Sequence, residues 1–459
     1  VFCRIPFYGD HLTIISHPAN LFYDNNFSNL IIPDDFNTGH PPLIPALFAA
    51  VWKIFGRSLP VSHCITFIAY ILLFYSFIKF CSRFIQSKYL YIPTILFLFH
   101  PALLAQTIAM SADIFLLLFF FWGLNAIYDK NKISFVIACM LLLLASLRGG
   151  IFVFVLFFVD LLIHKKYSFK KIISICMLVF ISSIPFVLWN IYHYMQAGWC
   201  IVNPQSPWLP HRQFVDGMAL LQNIFIFFFR QMEFGFIFIW VIVCIYYLQK
   251  NEQAKQLYKI IFISLIFCAL FFLPFKNPIV NRYLLFIGMI AFIPASLYLS
   301  EITSQTRKIL LLTAIAIVFL STHFYVYPEK MNKAIGYNWD ATLANVAYSN
   351  LREDVLEQIE NMYKPSGEPK KIGTGFPMYQ SYYDSNLENK FSVAVVKLET
   401  DQLASFDLII YSNIMNEVPY EIQKEIQNKW KLIYENKTGN IYMQLFANPH
   451  TLDSALVHL

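Results

Sequence analysis

Between residues 61 and 326 the chain is a succession of long apolar runs parted by short polar breaks, and that succession constrains the fold more than any motif does. Runs can be read at 61–83, 88–104, 113–128, 133–147, 150–163, 172–194, 222–247, 258–275, 283–299 and 308–326. Most approach the ~20 residues that cross a bilayer, and the shorter ones reach that length by extending into flanking polar residues. A composition of 58% hydrophobic and 14% charged residues agrees, because soluble domains are roughly half apolar and a quarter charged. The expectation is an integral, multi-pass membrane protein. Its net charge of +6 is explained by basic loops, with no nucleic-acid partner needed.

Loop charges give an orientation. One set of alternate loops carries Lys79, Arg83 and Lys88, then Lys130 and Lys132, Lys165, Lys166, Lys170 and Lys171, Lys250, Lys255 and Lys259, and Arg307 and Lys308. The other set carries only Arg57, Arg148, Arg212, Lys276 and Arg282. The basic set is predicted to be cytoplasmic. This holds if 41–55, short, opened by two prolines and carrying Lys53, lies along the surface as a juxtamembrane helix. The opening loop at 8–60, the connections 105–112, 148–149, 195–221 and 276–282, and the tail then share the outer side. The predicted domains are a membrane domain at 1–326 and a small soluble α/β domain at 327–459. The latter carries helix-like stretches at 341–363 and 419–430 and strand-like runs at 371–375, 391–396, 408–411, 431–434 and 441–446. The numbering starts at Val1 without a basic leader, so a further membrane helix is expected ahead of it. Of the eight cysteines, six sit in apolar runs as small hydrophobes; only Cys3 and Cys200 fall outside or at an edge, and a disulfide between them has no support.

The longest polar interruption in the first third is the opening loop, and chemistry is expected there. Asp10 is the first acid of the chain. A carboxylate at a membrane interface can take a proton from a hydroxyl, because partial desolvation raises its basicity, or it can be a solvated loop acid. His11 follows it. Asp34 and Asp35 precede the turn His40-Pro41-Pro42-Leu43 and can bind a divalent ion or an acceptor molecule, or simply cap that turn. His40 is a candidate hydrogen-bond partner for a substrate, or structural. Asp113 opens an apolar run, where an acid satisfies free N–H groups of a helix N-terminus or faces a pocket. Arg148, before Gly149 and Gly150, and Arg282, before Tyr283, are outer cations standing singly at helix ends. Arginine's fork matches phosphate oxygens; the plain alternative is a snorkelling side chain. Lys276 is nearby, and the loop with Trp199, Trp208, His211 and Arg212 can cover such a site or form an interfacial belt.

These residues, in this order, resemble the GT-C membrane glycosyltransferases, closest to the protein O-mannosyltransferase and lipid A aminoarabinose transferase group. That family has an acid at the start of its first outer loop, matched by Asp10, with His11 where a Glu is common. A His/Lys-Pro-Pro-Leu motif opening a juxtamembrane helix is matched by His40 to Leu43, running through Phe55-Gly56. Pro101 with Asp113, Arg148-Gly149, and Arg282-Tyr283 match later features. The likeness covers residues 8–326. It implies an all-α polytopic bundle of GT-C type bearing a small soluble α/β domain. It implies a hexosyl- or pentosyltransferase that takes a sugar from a polyprenyl-phosphate donor and places it, with inversion, on a lipid, glycan or protein hydroxyl. Asp10 would be the base, Arg148 and Arg282 would bind donor phosphate, and His40, Asp113 and His11 would shape the pocket. No cofactor is implied, although Asp34 and Asp35 leave room for a divalent metal. The setting implied is a bacterial inner membrane, with the site and tail facing the periplasm or outside. The rival class is a transporter or flippase of lipid-linked sugars. It would show inverted repeats, broken helices or charges at mid-membrane, and the sequence is read as having none.

Overall fold

The computed structural model describes the chain except residues 1, 35–36, 164–168, 205–208, 250, 253, 337–339, 364–370, 383–394, 399, 415, 419 and 450–459. Asp35, Trp208, Lys165, Lys166, Lys250 and most of the strand-like run 391–396 therefore lie outside the described residues. After a short π-helical stretch at Leu12–Ser16 come α1 (His17–Asp24), α2 (Leu43–Phe55), α3 (Leu59–Cys81), α4 (Tyr91–Leu98), α5 (Pro101–Ile108), α6 (Ala112–Tyr128), α7 (Lys132–Ala145), α8 (Gly149–Ile163) and α9 (Phe169–Ala197). They are followed by α10 (Gly217–Met232), α11 (Phe236–Leu248), α12 (Lys255–Phe272), α13 (Leu285–Glu301), α14 (Gln305–Thr322) and α15 (Glu329–Ile335). Among the described residues six helices, counting α10 and α11 together, are long and apolar enough to cross a membrane; a bent pair can make a seventh. The protein is multi-pass and integral to a membrane.

Burial in this bundle does not follow helical period. The most apolar window of 281–301 is 83% buried, whereas that of α9 is 11% buried. Both are apolar all round, because a face turned to lipid and a face turned to protein use the same residues. The buried α6 and α13 thus form the centre, and α9 forms a rim.

Two of the runs expected to be single spans are broken. The run 88–104 divides into α4 and α5, bent by 60°. Pro101 pushes the residue before it out of the helical region, and His100 is extended at φ −67, ψ 115 while its side chain accepts from Leu103 N–H. The run 222–247 divides into α10 and α11. Glu233 is extended, and Phe234 and Gly235 follow with φ 53 and 83. A Cβ on Gly235 would lie 2.2 Å from Val318 Cγ1, so only glycine lets the break pack this closely on α14. Inside this apolar run sit Arg230 and Glu233, both buried and paired. The sequence reading of no broken helix and no charge within a span is therefore corrected.

Beyond α14 the chain forms α16 (Ala344–Tyr363), α17 (Tyr420–Lys429) and strands β1 (Ile372–Thr374), β2 (Phe376–Pro377), β3 (Val395–Lys397), β4 (Leu408–Ser412), β5 (Asn416–Glu417), β6 (Lys431–Thr438) and β7 (Ile441–Ala447). Five strands make a mixed sheet in the order β3-β1-β4-β7-β6, parallel about β1 and antiparallel about β7. This is the small α/β unit expected. Its buried residues Tyr348, Leu351, Ile372 and Leu445 belong to the same apolar core as the bundle. Thr13 Oγ1 in the π-helical turn donates to Gln380 Oε1 at 2.6 Å, joining the opening segment to this unit.

Candidate functional site

Four parts of the chain far apart in sequence meet around Arg282. Gly9, at φ 58, reverses the chain so that Asp10 begins a helical turn, closed by His11 N–H on Tyr8 O at 3.2 Å. Asp113 is the second residue of α6, whose N-cap Ser111 accepts from Asp113 N–H at 3.0 Å and donates to Asp113 Oδ2 at 3.1 Å. Arg148 ends the tight α7–α8 turn, and Gly149 is needed there because a Cβ would strike Leu142 O at 1.8 Å. Arg282 sits in the short helix Asn281–Leu284 that leads into α13.

Arg282 is the hub. Its Nη2 lies 2.5 Å from Asp10 Oδ2 and its Nη1 lies 2.7 Å from Asp340 Oδ2. Its Nε stands 3.8 Å from Asp113 Oδ2, too long for a hydrogen bond. Arg148 Nη1 reaches Asp113 Oδ1 at 2.5 Å, so Asp113 stands between the two cations. The guanidinium of Arg148 lies 4.2 Å from the Tyr283 ring centre, and that of Arg282 lies 5.3 Å away. Three carboxylates thus face two guanidinium groups, with Tyr283 as a shared wall.

Exposure separates the members. Arg282 and Asp113 are each 4% exposed, but Asp10 is 39% exposed. Asp10 is the carboxylate open to an incoming molecule, and Arg148 is the more accessible cation.

The two histidines near Arg282 and Arg148 are held toward the neutral form. Burial, then Arg282 and Arg148, hold His11 well below its ordinary value. Its Nε2, 3.2 Å from Arg282 Nη1, is therefore an acceptor, and its 3.9 Å approach to Asp340 is not an ion pair. Burial, then Arg148, Arg212 and Arg282, lower His40 to about 3. Its Nδ1 accepts from Leu147 N–H at 3.3 Å and lies 3.3 Å from Ser146 Oγ, which ties the His-Pro-Pro turn to the turn bearing Arg148.

Asp340 escapes the sequence reading, being one acid among many in a polar tail. Gln106 Nε2 donates to its carbonyl at 2.6 Å, and α5 thereby brings it over the site. Burial pushes its carboxyl above the usual carboxylate range; Arg282 opposes the rise, while Asp10 and Asp113 add to it.

Other candidates lie elsewhere. Asp34 Oδ1 accepts from Trp199 Nε1 at 2.9 Å, and Arg212 donates to Ile201 O and Thr38 O, so these bonds tie Asp34 and Thr38 to residues that follow α9. Lys276 is exposed and bonded to Gln213. His211 is not among the groups that meet Arg282. Among the described residues no three His, Cys, Asp or Glu side chains are grouped to hold a metal ion. An apolar cavity of about 620 Å³ runs between α2, α3 and α6, lined by Leu47, Val51, Phe55, Ile65, Phe115 and Phe119 among others.

No protein-family model and no curated protein matches the sequence. Two solved structures are similar. ArnT from Cupriavidus metallidurans bound to undecaprenyl phosphate superimposes with a TM-score of 0.57 at 10% identity, covering 96% of this chain and 94% of that one. The same protein in the apo state gives 0.55 at 12% identity, covering 99% and 95%. The chain therefore has the fold of ArnT, a GT-C fold, over nearly its whole length.

Proposed function

We propose that the protein is a membrane glycosyltransferase that moves a sugar from a polyprenyl-phosphate donor to a hydroxyl of a lipid, glycan or protein acceptor. The observation that carries this reading is the half-open Asp10 carboxylate held 2.5 Å from the buried Arg282 guanidinium. One group can take a proton, and the other can face a phosphate. The fold adds support, since one ArnT structure that shares it is bound to undecaprenyl phosphate. The apolar cavity between α2, α3 and α6 offers a wall suited to an isoprenoid chain.

Asp10 removes the acceptor hydroxyl proton as its oxygen attacks the anomeric carbon. The bond from that carbon to the phosphate oxygen breaks, and the polyprenyl phosphate departs with the bonding electrons. Attack opposite the leaving group inverts the anomeric centre. Arg148 and Arg282 neutralise the charge growing on the phosphate. The phosphate competes with the three carboxylates for the guanidinium donors, which frees Asp10 to accept a proton. His11 and His40, being neutral, serve as hydrogen-bonding walls of the sugar pocket. These steps use side chains alone and neither require nor exclude a divalent ion.

The broken helix with buried charge at Arg230 and Glu233 has the form expected of a transporter. Its guanidinium, however, bonds Glu233 and the carbonyls of Ile279, Ile335 and Gly336. These bonds give the pair a role within the protein, so the broken helix is not by itself a reason to prefer a transporter.

The test is transfer from radiolabelled polyprenyl-phosphate sugars by membranes carrying wild type, Asp10→Asn or Arg148→Ala. Transfer by wild type that falls at least about a hundredfold in Asp10→Asn, with normal protein levels, is expected from loss of a general base. Wild-type transfer with unchanged Asp10→Asn would remove Asp10 as base and make Asp113 the next candidate. Absence of transfer from every donor, across lipid, glycan and protein acceptors, would overturn the reading.

A further inference from the structure

Arg230 is 1% exposed, and its bonds reach two segments that lead into the site. Nε donates to Ile279 O at 2.9 Å, and the Arg230 carbonyl accepts from Asn281 Nδ2 at 2.9 Å; Arg282 is the next residue. Nη2 donates to Ile335 O and Gly336 O, each at 2.8 Å, four residues short of Asp340. Nη1 pairs with Glu233, whose Oε1 also accepts from Tyr327 OH at 2.8 Å. The left-handed residues Phe234 and Gly235 turn the chain directly after Glu233, which ends α10 at this pair. Gly336 passes the guanidinium with φ 79, and even a Cβ there would approach Arg230 Nη2 to 3.9 Å.

We propose that Arg230 and Glu233 form a positioning clamp that sets the register of Asp340 against Arg282, and so fixes how the segment after α14 closes on the site. The clamp acts through the 2.7 Å Asp340–Arg282 pair and touches no substrate. Only arginine can do this, because its planar fork reaches Ile279 O on one side and Ile335 O and Gly336 O on the other while keeping a charge for Glu233; lysine keeps the charge and loses the fork. In its catalytic consequence the clamp rests on the proposed transfer reaction, but its geometry does not.

The experiment compares wild type with Arg230→Lys in detergent by hydrogen exchange and in membranes by transfer. Arg230→Met with Glu233→Gln serves as a charge-free control, since a lone buried Glu233 threatens folding. Both forms are expected to raise amide exchange about tenfold or more at 279–282, 335–336 and 340–343, and to leave α6 unchanged, as local opening does. Exchange unchanged within about twofold at those segments, or raised equally throughout the bundle, overturns the clamp. In transfer, Arg230→Lys and Asp340→Asn are each expected to lower the rate about tenfold, and the double variant to fall no more than about twofold below the weaker single one. Multiplying losses would mean that Arg230 acts other than through Asp340, which overturns the positioning role. If wild type transfers from no donor, the transferase reading falls and exchange alone decides the clamp.

Discussion

Arg282→Met removes the cation that three carboxylates share. Breaking a buried pair from one side costs about 3–5 kcal/mol, because the partner is left as an uncompensated charge. The three acids do not bear this equally. Asp113 keeps Arg148 at 2.5 Å, and Asp10 is 39% exposed and can be solvated. Asp340, 14% exposed, loses the arginine it pairs with at 2.7 Å. The expected loss at neutral pH is therefore at the lower end, about 3 kcal/mol. Burial already raises Asp340 in the folded chain, and Arg282 is the largest influence opposing that rise. In the variant Asp340 binds its proton still more readily when folded than when unfolded. Stability then falls as pH rises from the unfolded value, about 3.9, through the raised folded value, and recovers as pH is lowered through the same window. His11 and His40, both depressed in part by Arg282, are relieved in the same direction. Unfolding in detergent, followed by denaturant titration at about pH 7 and about pH 5, should show the deficit shrinking by at least about 1 kcal/mol at the lower pH. A second change, Asp340→Asn in the Arg282→Met background, should recover stability at about pH 7. A deficit below about 1 kcal/mol, or one that does not shrink on acidification, would refute the view that Arg282 neutralises a buried acid of the tail.

Two further predictions concern groups that hold the site. His40, at about 3, keeps wild-type stability whole above about pH 6.5 and loses it as pH falls toward 3, by up to about 2 kcal/mol at pH 5; His40→Gln, which can still accept from Leu147 N–H, should flatten that acid slope. Gly235→Ala should cost about 1–3 kcal/mol from its left-handed backbone alone and more from the contact with Val318. Val318→Ala should restore the contact part but not the backbone part, measured by melting in detergent, and a neutral Gly235→Ala would mean that the break tolerates another geometry.

The residues that meet at the site were legible in sequence mainly through charge. Arg148 and Arg282 stand singly at helix ends within the loop set that is poor in basic residues, and this grouped them, with Arg57, Arg212 and Lys276, as expected neighbours. The apolar runs located the helices but not their burial, since α13 at the centre and α9 at the rim have the same composition all round. Composition also conceals breaks. The Pro101 bend and the Glu233–Gly235 turn interrupt the backbone without interrupting hydrophobicity. Arg230 and Glu233 did carry a signal, as opposite charges three residues apart within an apolar run beside a glycine, and charges in such runs are seldom there without a partner. Asp340 carried none, because its importance comes from Gln106 and Arg282, hundreds of residues earlier or on another element.

The sharing of Arg282 among acids at positions 10, 113 and 340 bears on how the protein is made. A ribosome delivers the two early carboxylates first, the guanidinium much later, and Asp340 only after the last bundle helix, α14, has been synthesised. Throughout that interval the early acids lack this counter-ion, and the guanidinium then waits for its final partner. A chain halted after residue 322 would contain the described helices through α14 yet lack Asp340, Gln380 and α16. The ion network is thus completed only by a residue that is made after α14.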